Sequence, residues 1–400
     1  MTGVLERPLT LGRIRASLRH RTLRVPQRAV QSGLPPAWFG WRWVREETVP
    51  AYFARGGAGR LDTIHPEARA ANPLPRNISG PDELPDDPDW FGFSLRDVPT
   101  RVSGPTLRAT LPDCIVVSFR DAERGEFWPA IVNRDRRALR LREITFRRGH
   151  GEALRWGRAP ARVAKAIWII ERVYENHSHW LTAHLPKLCL LHARGELDDL
   201  ILPARRNPVI DASLRMLGLD PGAFRTHDPD RPLRVGELTI LGTDRFRPEL
   251  LQPVRDALAV PPHRAPWRRV FISRARSRIR RLANETDLEP ILAAAGFDVV
   301  LMEQLSFEEQ VRLMSETAIL MAPHGAGLTN MMFCHPGAQV IEIADISYPN
   351  PNFYALACAM GLSYWLVRGE FTGGEELHRL DRDLAVDPRS VRRVLRQIGV

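Results

Sequence analysis

The sequence predicts an α/β protein whose C-terminal third is a doubly wound parallel sheet, and three observations carry that expectation. Apolar strand-like runs alternate with amphipathic helix-like segments from Trp267 onward, and the loops between them are short. The apolar run 318–322 leads into A-P-H-G-A-G-L-T-N (322–330), after which residues 328–333 read as the first turns of a helix. A strand, a glycine turn and a helix start form an anion-binding geometry: unpaired N–H groups and the positive dipole end face the turn, and glycine lets a ligand approach the backbone. A diphosphate is the expected occupant. The same glycines would also serve a tight turn needing φ > 0.

The elements follow in order. Residues 8–24 set Leu9, Leu11, Ile14 and Leu18 among five arginines; this reads as a mobile basic arm, or as a basic amphipathic helix on a membrane surface. Residues 73–100, rich in Pro, Asp and Gly, read as an extended loop. Alternation in C-I-V-V-S-F, F-W-P-A-I-V and L-R-L-R-E-I-T-F predicts short antiparallel strands. Strands over 164–171, 199–203 and near 234–241 then alternate with helices over 177–191, where Pro186 splits or kinks the chain, and 208–217.

In the last unit, R-V-F-I-S is a strand, and T-D-L-E at 286–289 reads as a capping box for a helix that Gly296 stops. D-V-V-L-M is the next strand, S-F-E-E at 306–309 a second capping box, and A-Q-V-I-E-I the strand after the glycine turn. A final helix over 391–397 takes Ser390 as its N-cap. The expected division is an irregular extension (1–110), a first α/β unit (111–262) and the second unit (263–400).

Composition bounds the function. Hydrophobic residues at 44% and charged residues at 26% fit folded units. No apolar stretch approaches the roughly 18 residues that span a bilayer, and the N-terminus lacks the apolar core of a secretory signal, so a cytoplasmic protein is expected. It would be peripheral at the inner membrane face if the basic segment binds lipid. Net charge is +10, carried almost wholly by arginine, since lysine occurs only at Lys165 and Lys187. Arginine suits phosphates and carboxylates, but net charge does not choose among nucleotides, acidic glycans, lipid and nucleic acid. Cys114, Cys189, Cys334 and Cys358 stand far apart, without zinc spacing, and read as free thiols.

Strand ends of a parallel sheet converge on one edge, where ligands bind. Ser273 and Arg274, followed by Arg276, Arg278, Arg280 and Arg281, close the first strand of the last unit; His324 and the glycines close the third; Glu342 lies in the fourth. Arginines and helix N–H groups suit a diphosphate, and a carboxylate suits ribose hydroxyls. Each also has a plainer use: a solvated arginine face, a turn histidine, a carboxylate paired with arginine.

In order, I-S-R (272–274), R-R-L-A-N-E (280–285), L-S-F-E-E-Q (305–310), P-H-G-A-G-L-T-N (323–330), P-G-A (336–338) and I-E-I (341–343) resemble the signature of glycosyltransferase family 61, a group also described as capsular polysaccharide biosynthesis proteins. The resemblance is dense over 268–366 and thinner over E-N-H-S-H-W-L-T-A-H-L-P-K-L (175–188). It implies a GT-B fold, two Rossmann-like domains facing a cleft, with the C-terminal domain holding a nucleotide sugar and the N-terminal domain a glycan or lipid-linked glycan acceptor. It implies inverting transfer, commonly without a divalent metal or other cofactor, in bacterial surface polysaccharide synthesis, with a UDP-sugar favoured. Carried onto matching positions, Ser273, Arg274, His324, Gly325, Ala326, Gly327 and Thr329 would hold the donor diphosphate, with Arg278 and Arg281 as weaker contributors and Glu342 on the nucleoside. For the base, His179 is the first choice and Glu175 the second, with His177 and His184 near. D-x-D triplets beginning at Asp87, Asp228 and Asp381 lie at no strand end and are read as chance.

Other classes fit less well. H-G-A-G is like a lipase oxyanion motif, but no G-x-S-x-G elbow accompanies it. The glycine turn is not G-x-G-x-x-G and follows the third strand of its unit, against a dinucleotide oxidoreductase. A non-catalytic nucleotide- or glycan-binding protein of the same fold is the alternative. A nucleic-acid binder is not expected, because no aromatic-basic repeat supports one.

Overall fold

The computed structural model describes residues 24–87, 92–122, 125–258, 260, 265–347, 350–373 and 381–400. All of the basic segment 8–24 except its last residue lies outside them. Among the described residues no helix is long and apolar enough to cross a membrane.

The first sheet is built from β1 (Glu46–Thr48), β2 (Arg60–His65), β3 (Thr106–Arg120), β4 (Phe127–Val132), β5 (Ala138–Arg140), β6 (Ala161–Trp168) and β7 (Leu233–Gly242). Their order is β1-β5-β4-β3-β7-β6, and β2 also pairs with β3. Only β1/β5 and β7/β6 are parallel; β2/β3, β3/β4, β4/β5 and β3/β7 are antiparallel. The connections explain this. Residues 121–126 and 133–137 are hairpin-length links, whereas a parallel crossover needs a dozen residues or more. The expectation of two Rossmann-like units is therefore corrected for the first, which is a mixed, mainly antiparallel sheet. The extension is also less irregular than expected, because β1 and β2 join this sheet.

The second sheet comprises β8 (Arg268–Ile272), β9 (Asp298–Val300), β10 (Thr317–Pro323), β11 (Gln339–Asp345), β12 (Ser363–Thr372) and β13 (Asp383–Val386). Their order is β9-β8-β10-β11-β12-β13, parallel throughout except for β13. As the sequence predicts, it is doubly wound. Helices Phe307–Ser315 and Asn352–Ala359 and the 3₁₀ helix Ala326–Phe333 cover one face; Glu289–Ala294 and Pro388–Ile398 cover the other, over Phe271, Met321, Ile341 and Val367. Burial on both faces explains why β10 reads as a nearly continuous apolar run. The first face shares one continuous core with the first unit, and helix Pro208–Met216 packs directly on Phe307–Ser315.

Local signals succeeded where they were reciprocal. Ser306 Oγ accepts from Glu309 N (3.2 Å) while Glu309 Oε2 accepts from Ser306 N (2.7 Å), the predicted capping box. Thr286 is not a cap, because Glu285–Leu288 is already a 3₁₀ turn, and Asp387 rather than Ser390 caps the last helix. Pro186 leaves a sharper mark than a kink. Residues Trp180–His184 open into a π turn just before it, since Pro186 brings no N–H to the ladder and crowds the preceding turn.

The Pro-rich segment straps the second sheet. Arg76 N donates to Tyr364 O (2.7 Å), and the Asn77 amide both donates to Leu366 O (2.7 Å) and accepts from Leu366 N (3.0 Å). It thereby satisfies an edge of β12 that β13 does not reach.

Buried histidines make stability depend on pH. His150 accepts from Arg147 N (2.8 Å) and donates to Trp128 O (2.9 Å); His184 accepts from Glu171 N (3.0 Å) and donates to His179 O (2.9 Å). Each needs a neutral ring, and burial pushes His150, His184 and His227 from the ordinary 6.5 to about 4. Between these values the unfolded chain binds more protons. The stabilisation is complete above pH 6.5 and is lost as pH falls toward 4, by up to about 3 kcal/mol per histidine. Urea midpoints measured from pH 7 to pH 4 should fall across that window, and His150→Phe should flatten the slope. A flat profile in the parent protein would sink this account.

Candidate active site

The order β9-β8-β10 reverses direction between β8 and β10, and such a switch point opens a crevice at the carboxyl ends of its strands. Here β8 ends in Ser273 and Arg274, and β10 runs into His324 and Gly325. The crevice between them has a volume of ≈ 240 Å³, and Ser273, Arg274, Gly325 and Gly327 line it.

Arg274 is fixed from below. Its Nε donates to Arg280 O (2.7 Å) and its Nη2 to Ile279 O (2.9 Å), which leaves Nη1 beside the turn. Burial, together with the charge of Arg280, pushes this guanidinium down to about 10, so it stays charged at neutral pH. Gly325 has an extended φ of 172°, so it is not needed for backbone conformation. It is needed for space: a Cβ there would stand 2.2 Å from Arg274 Nη1. Glycine thus seats a guanidinium against the turn at the start of the helix Ala326–Phe333, whose first N–H groups lack intrahelical acceptors. Ser273 Oγ donates to Glu285, whose carboxylate also accepts from Arg274 N (3.4 Å), so Glu285 braces the strand end.

On the other side of Gly325 lies a larger cleft of ≈ 1040 Å³ between the two units. His324, Gly325, Ala326 and Arg280 line it from the second unit; His179, Asn176, Ser178 and a group of arginines line it from the first. The segment 176–184 stands between the cavities. Asn176 caps its first turn, accepting from Ser178 N and His179 N. His177 turns to the crevice and bonds Asn330 Oδ1 (3.0 Å), itself held by Gln310, while His179 turns to the cleft.

His324 is tied to a buried carboxylate at the cleft wall. Its Nδ1–H donates to Glu342 Oε1 (2.5 Å), and Tyr364 OH donates to Glu342 Oε2 (2.5 Å). Glu342 is 0% exposed. With Nδ1 protonated, Nε2 carries the ring's lone pair and accepts from Asn350 Nδ2 (3.2 Å), and Phe353 packs edge-on to the ring at 4.9 Å. The phenol of Tyr364 is pushed well above its ordinary value by burial and by Glu342, so it remains a donor.

The structure divides the sequence-predicted residues. Ser273, Arg274, Gly325 and Gly327 meet at the crevice, and His324 and Ala326 face the cleft with His179. Glu342 cannot reach a nucleoside, because it is enclosed and both of its oxygens are engaged. Thr329 points into the core, fully buried, with its hydroxyl unpaired among the described residues. Arg278 is exposed away from both cavities, and Arg281 is held by Asp383 (2.9 Å). Glu175 lines neither cavity and is paired with Arg120 (2.9 Å) and Arg205 (3.3 Å). His179 has the right position but an adverse field: burial, then Arg245, His184, Arg142 and Arg172, hold its protonated form well below the ordinary range. Sequence reasoning missed Tyr364, Asn350 and Glu285 as braces, and Arg245 and Arg142 as cleft residues. None stands in a motif whose spacing reports its role.

Among the described residues no group of three His, Cys, Asp or Glu is placed to hold a metal ion. The four thiols are free, and burial pushes each up to about 12.

Residues 177–341, which contain the crevice and most of the glycine-turn side of the cleft, match the family model described as Glycosyltransferase 61. The chain is similar to a beta-1,2-xylosyltransferase of Arabidopsis thaliana, 31% identical over 75 residues, covering 18% of this chain and 14% of the relative. It is 34% identical over 109 residues to the EGF domain-specific O-linked N-acetylglucosamine transferase of Drosophila melanogaster, covering 26% and 21% respectively. A beta-1,2-xylosyltransferase of Oryza sativa subsp. japonica is 31% identical over 67 residues, covering 17% and 13%. The matched segment spans at most about a fifth of the length of these relatives.

Proposed function

We propose that this chain, whose residues 177–341 belong to glycosyltransferase family 61, moves a sugar from a nucleotide-sugar donor, a UDP-sugar by preference, to a glycan or lipid-linked glycan acceptor, with inversion at the anomeric carbon. Synthesis of a bacterial surface polysaccharide is the setting that suits this reading. The observation that carries it is the seating of Arg274 against Gly325 at the switch point, with the larger cleft opening directly beside it. The two cavities divide as donor and acceptor sites would. We read the architecture as a variant of the GT-B arrangement in which the acceptor-side unit has a mainly antiparallel sheet.

In this reading Arg274, Ser273 and the N–H groups at the start of Ala326–Phe333 hold the donor diphosphate in the crevice. An acceptor hydroxyl in the cleft attacks the anomeric carbon; the bond to the diphosphate oxygen breaks with its electron pair, and the hydroxyl proton passes to His324 Nε2. Glu342 stabilises the imidazolium so formed, and Tyr364 holds Glu342. His179, the first choice from sequence, faces the cleft from the acceptor side, where its arginine neighbours disfavour its taking a proton. Fixed cations and helix N–H groups meet the leaving charge without reorganisation. No divalent metal is required in this scheme.

The test is thermal stabilisation by UDP, GDP, CMP and ADP, each with and without EDTA. At about 100 times its dissociation constant one nucleotide should add about 2.7 kcal/mol to the folded state. The rise should survive EDTA and disappear in Arg274→Ala. No rise with any nucleotide would overturn the donor site.

A further inference from the structure

The acceptor side of the cleft carries more positive charge than sugar hydroxyls call for. Five arginines line the cleft from the first unit (Arg142, Arg147, Arg148, Arg172 and Arg245) against three carboxylates, Asp121, Glu126 and Glu143. Some of this charge is spent within the protein. Arg172 pairs with Glu126 (2.9 Å) and Arg148 with Glu152 (2.7 Å); Arg147 and Arg172 sandwich the Trp128 ring at 3.5 and 4.2 Å. Arg245 and Arg142 are different. Among the described residues neither has a carboxylate within ion-pair distance.

Arg245 is 5% exposed. Its Nη2 donates to Thr182 Oγ1 (2.5 Å), and its buried Nε has no acceptor among the described residues. Burial, then Arg142, lower its proton affinity to about 9, and Glu143, Glu171 and Asp244 offset this only in part. A guanidinium enclosed without a counter-charge costs several kcal/mol, and a second arginine beside it adds to that cost. The arrangement therefore has a cationic hole at the cleft wall, beside His179.

We propose that this hole is a binding subsite for an anionic group on the acceptor, a carboxylate or a phosphate, held by Arg245 and Arg142 with Arg172 at its margin. The acceptor is then an acidic glycan or a glycan phosphate rather than a neutral sugar. The inference rests on the glycosyltransferase reading for the word acceptor, but the charge arrangement stands apart from it. The donor diphosphate is not the occupant, because Arg245 and Arg142 do not line the switch-point crevice.

The experiment is a thermal-shift titration of the full chain, with and without saturating UDP, using methyl β-glucuronide, glucose 1-phosphate and neutral methyl β-glucoside at matched ionic strength. Wild type, Arg142→Ala and Arg245→Met are compared. At least one charged sugar should stabilise wild type while the neutral one does not, and which one acts identifies carboxylate or phosphate. Both substitutions should weaken that response by more than about 10-fold in Kd and leave the UDP shift intact. Arg245→Met should also raise the melting temperature without ligand, since a buried unpaired charge gives way to an apolar chain of similar reach. Arg142 is exposed, so its variant reports on binding even if Arg245→Met fails to fold. Equal shifts from charged and neutral sugars, or a charged-sugar shift unchanged in Arg142→Ala, would overturn the subsite. A charged-sugar response in wild type with no shift from UDP, GDP, CMP or ADP would overturn the donor reading instead and leave the subsite standing.

Discussion

His324→Ala should lower kcat by about 10²–10⁴-fold, the usual contribution of a positioned general base, while nucleotide binding measured by thermal shift stays within a few-fold of the parent. The geometry separates the two effects. The ring lines the larger cleft, its Nδ1–H is committed to a carboxylate with no solvent exposure, and Nε2 is left as the basic atom. This is the logic of a carboxylate–histidine pair, in which the buried acid fixes the tautomer and stabilises the cation formed on proton uptake. Glu342→Gln, which keeps the shape but removes the charge, should also lower kcat, and Tyr364→Phe should do so less, because Tyr364 acts only through Glu342. His179→Ala is the contrasting variant. Its ring is held neutral by burial and by three arginines, so its loss should change kcat by no more than a few-fold. A stopped assay with the nucleotide sugar chosen by thermal shift would measure all four. If His179→Ala abolished turnover and His324→Ala did not, the base would be on the first unit. If His324→Ala lost nucleotide binding together with rate, the histidine would belong to the donor diphosphate, as the sequence motif alone suggests.

That division shows what the sequence carried. The second unit was legible because its information is local: alternation of apolar runs, a reciprocal capping box at Ser306 and Glu309, and a glycine turn after the third strand fix elements and order together. The meeting of Arg274 and Gly325 at one crevice was also legible, as two strand ends on one sheet edge. The partner of Glu342 was not. Its partners His324 and Tyr364 come from a turn and a later strand, and a carboxylate in I-E-I reads the same whether it faces a ligand or the interior. The first unit was legible only in part. Alternation marked β3 and β4 as antiparallel strands, as they are, but helix-like segments between 164 and 241 suggested crossovers in an open parallel layer, whereas β7 pairs antiparallel with β3 as well as parallel with β6. The arginine cluster on the cleft was hidden by the composition itself: among 57 lysines and arginines, no single position announces that it is buried without an acid beside it.

Gly325→Ala should reproduce Arg274→Ala, and this is the sharper test of the donor site because it changes no charged residue. The backbone at Gly325 is extended, φ 172° and ψ 164°, so alanine is allowed there. The added methyl would lie 2.2 Å from Arg274 Nη1 and 2.8 Å from Cζ, and the guanidinium must leave. It would give up its bonds to Arg280 O and Ile279 O and vacate the crevice wall. Nucleotide affinity, or kcat where the arginine meets charge only in the transition state, should fall by about 10²–10³-fold, the scale of one preorganised donor, 2.7–4 kcal/mol. Gly327→Ala serves as the control. Its methyl would meet Ile272 Cγ2 at 3.4 Å and Met302 Cγ at 3.8 Å, ordinary contacts, with Arg274 untouched. The double variant Arg274→Ala with Gly325→Ala should be no worse than either single change, because both remove the same contact and their effects cannot add. Calorimetric titration of the selected nucleotide into the four proteins reads this directly. Additive losses would mean that Gly325 serves the ligand through its own backbone, and full affinity in Gly325→Ala would remove Arg274 from the site.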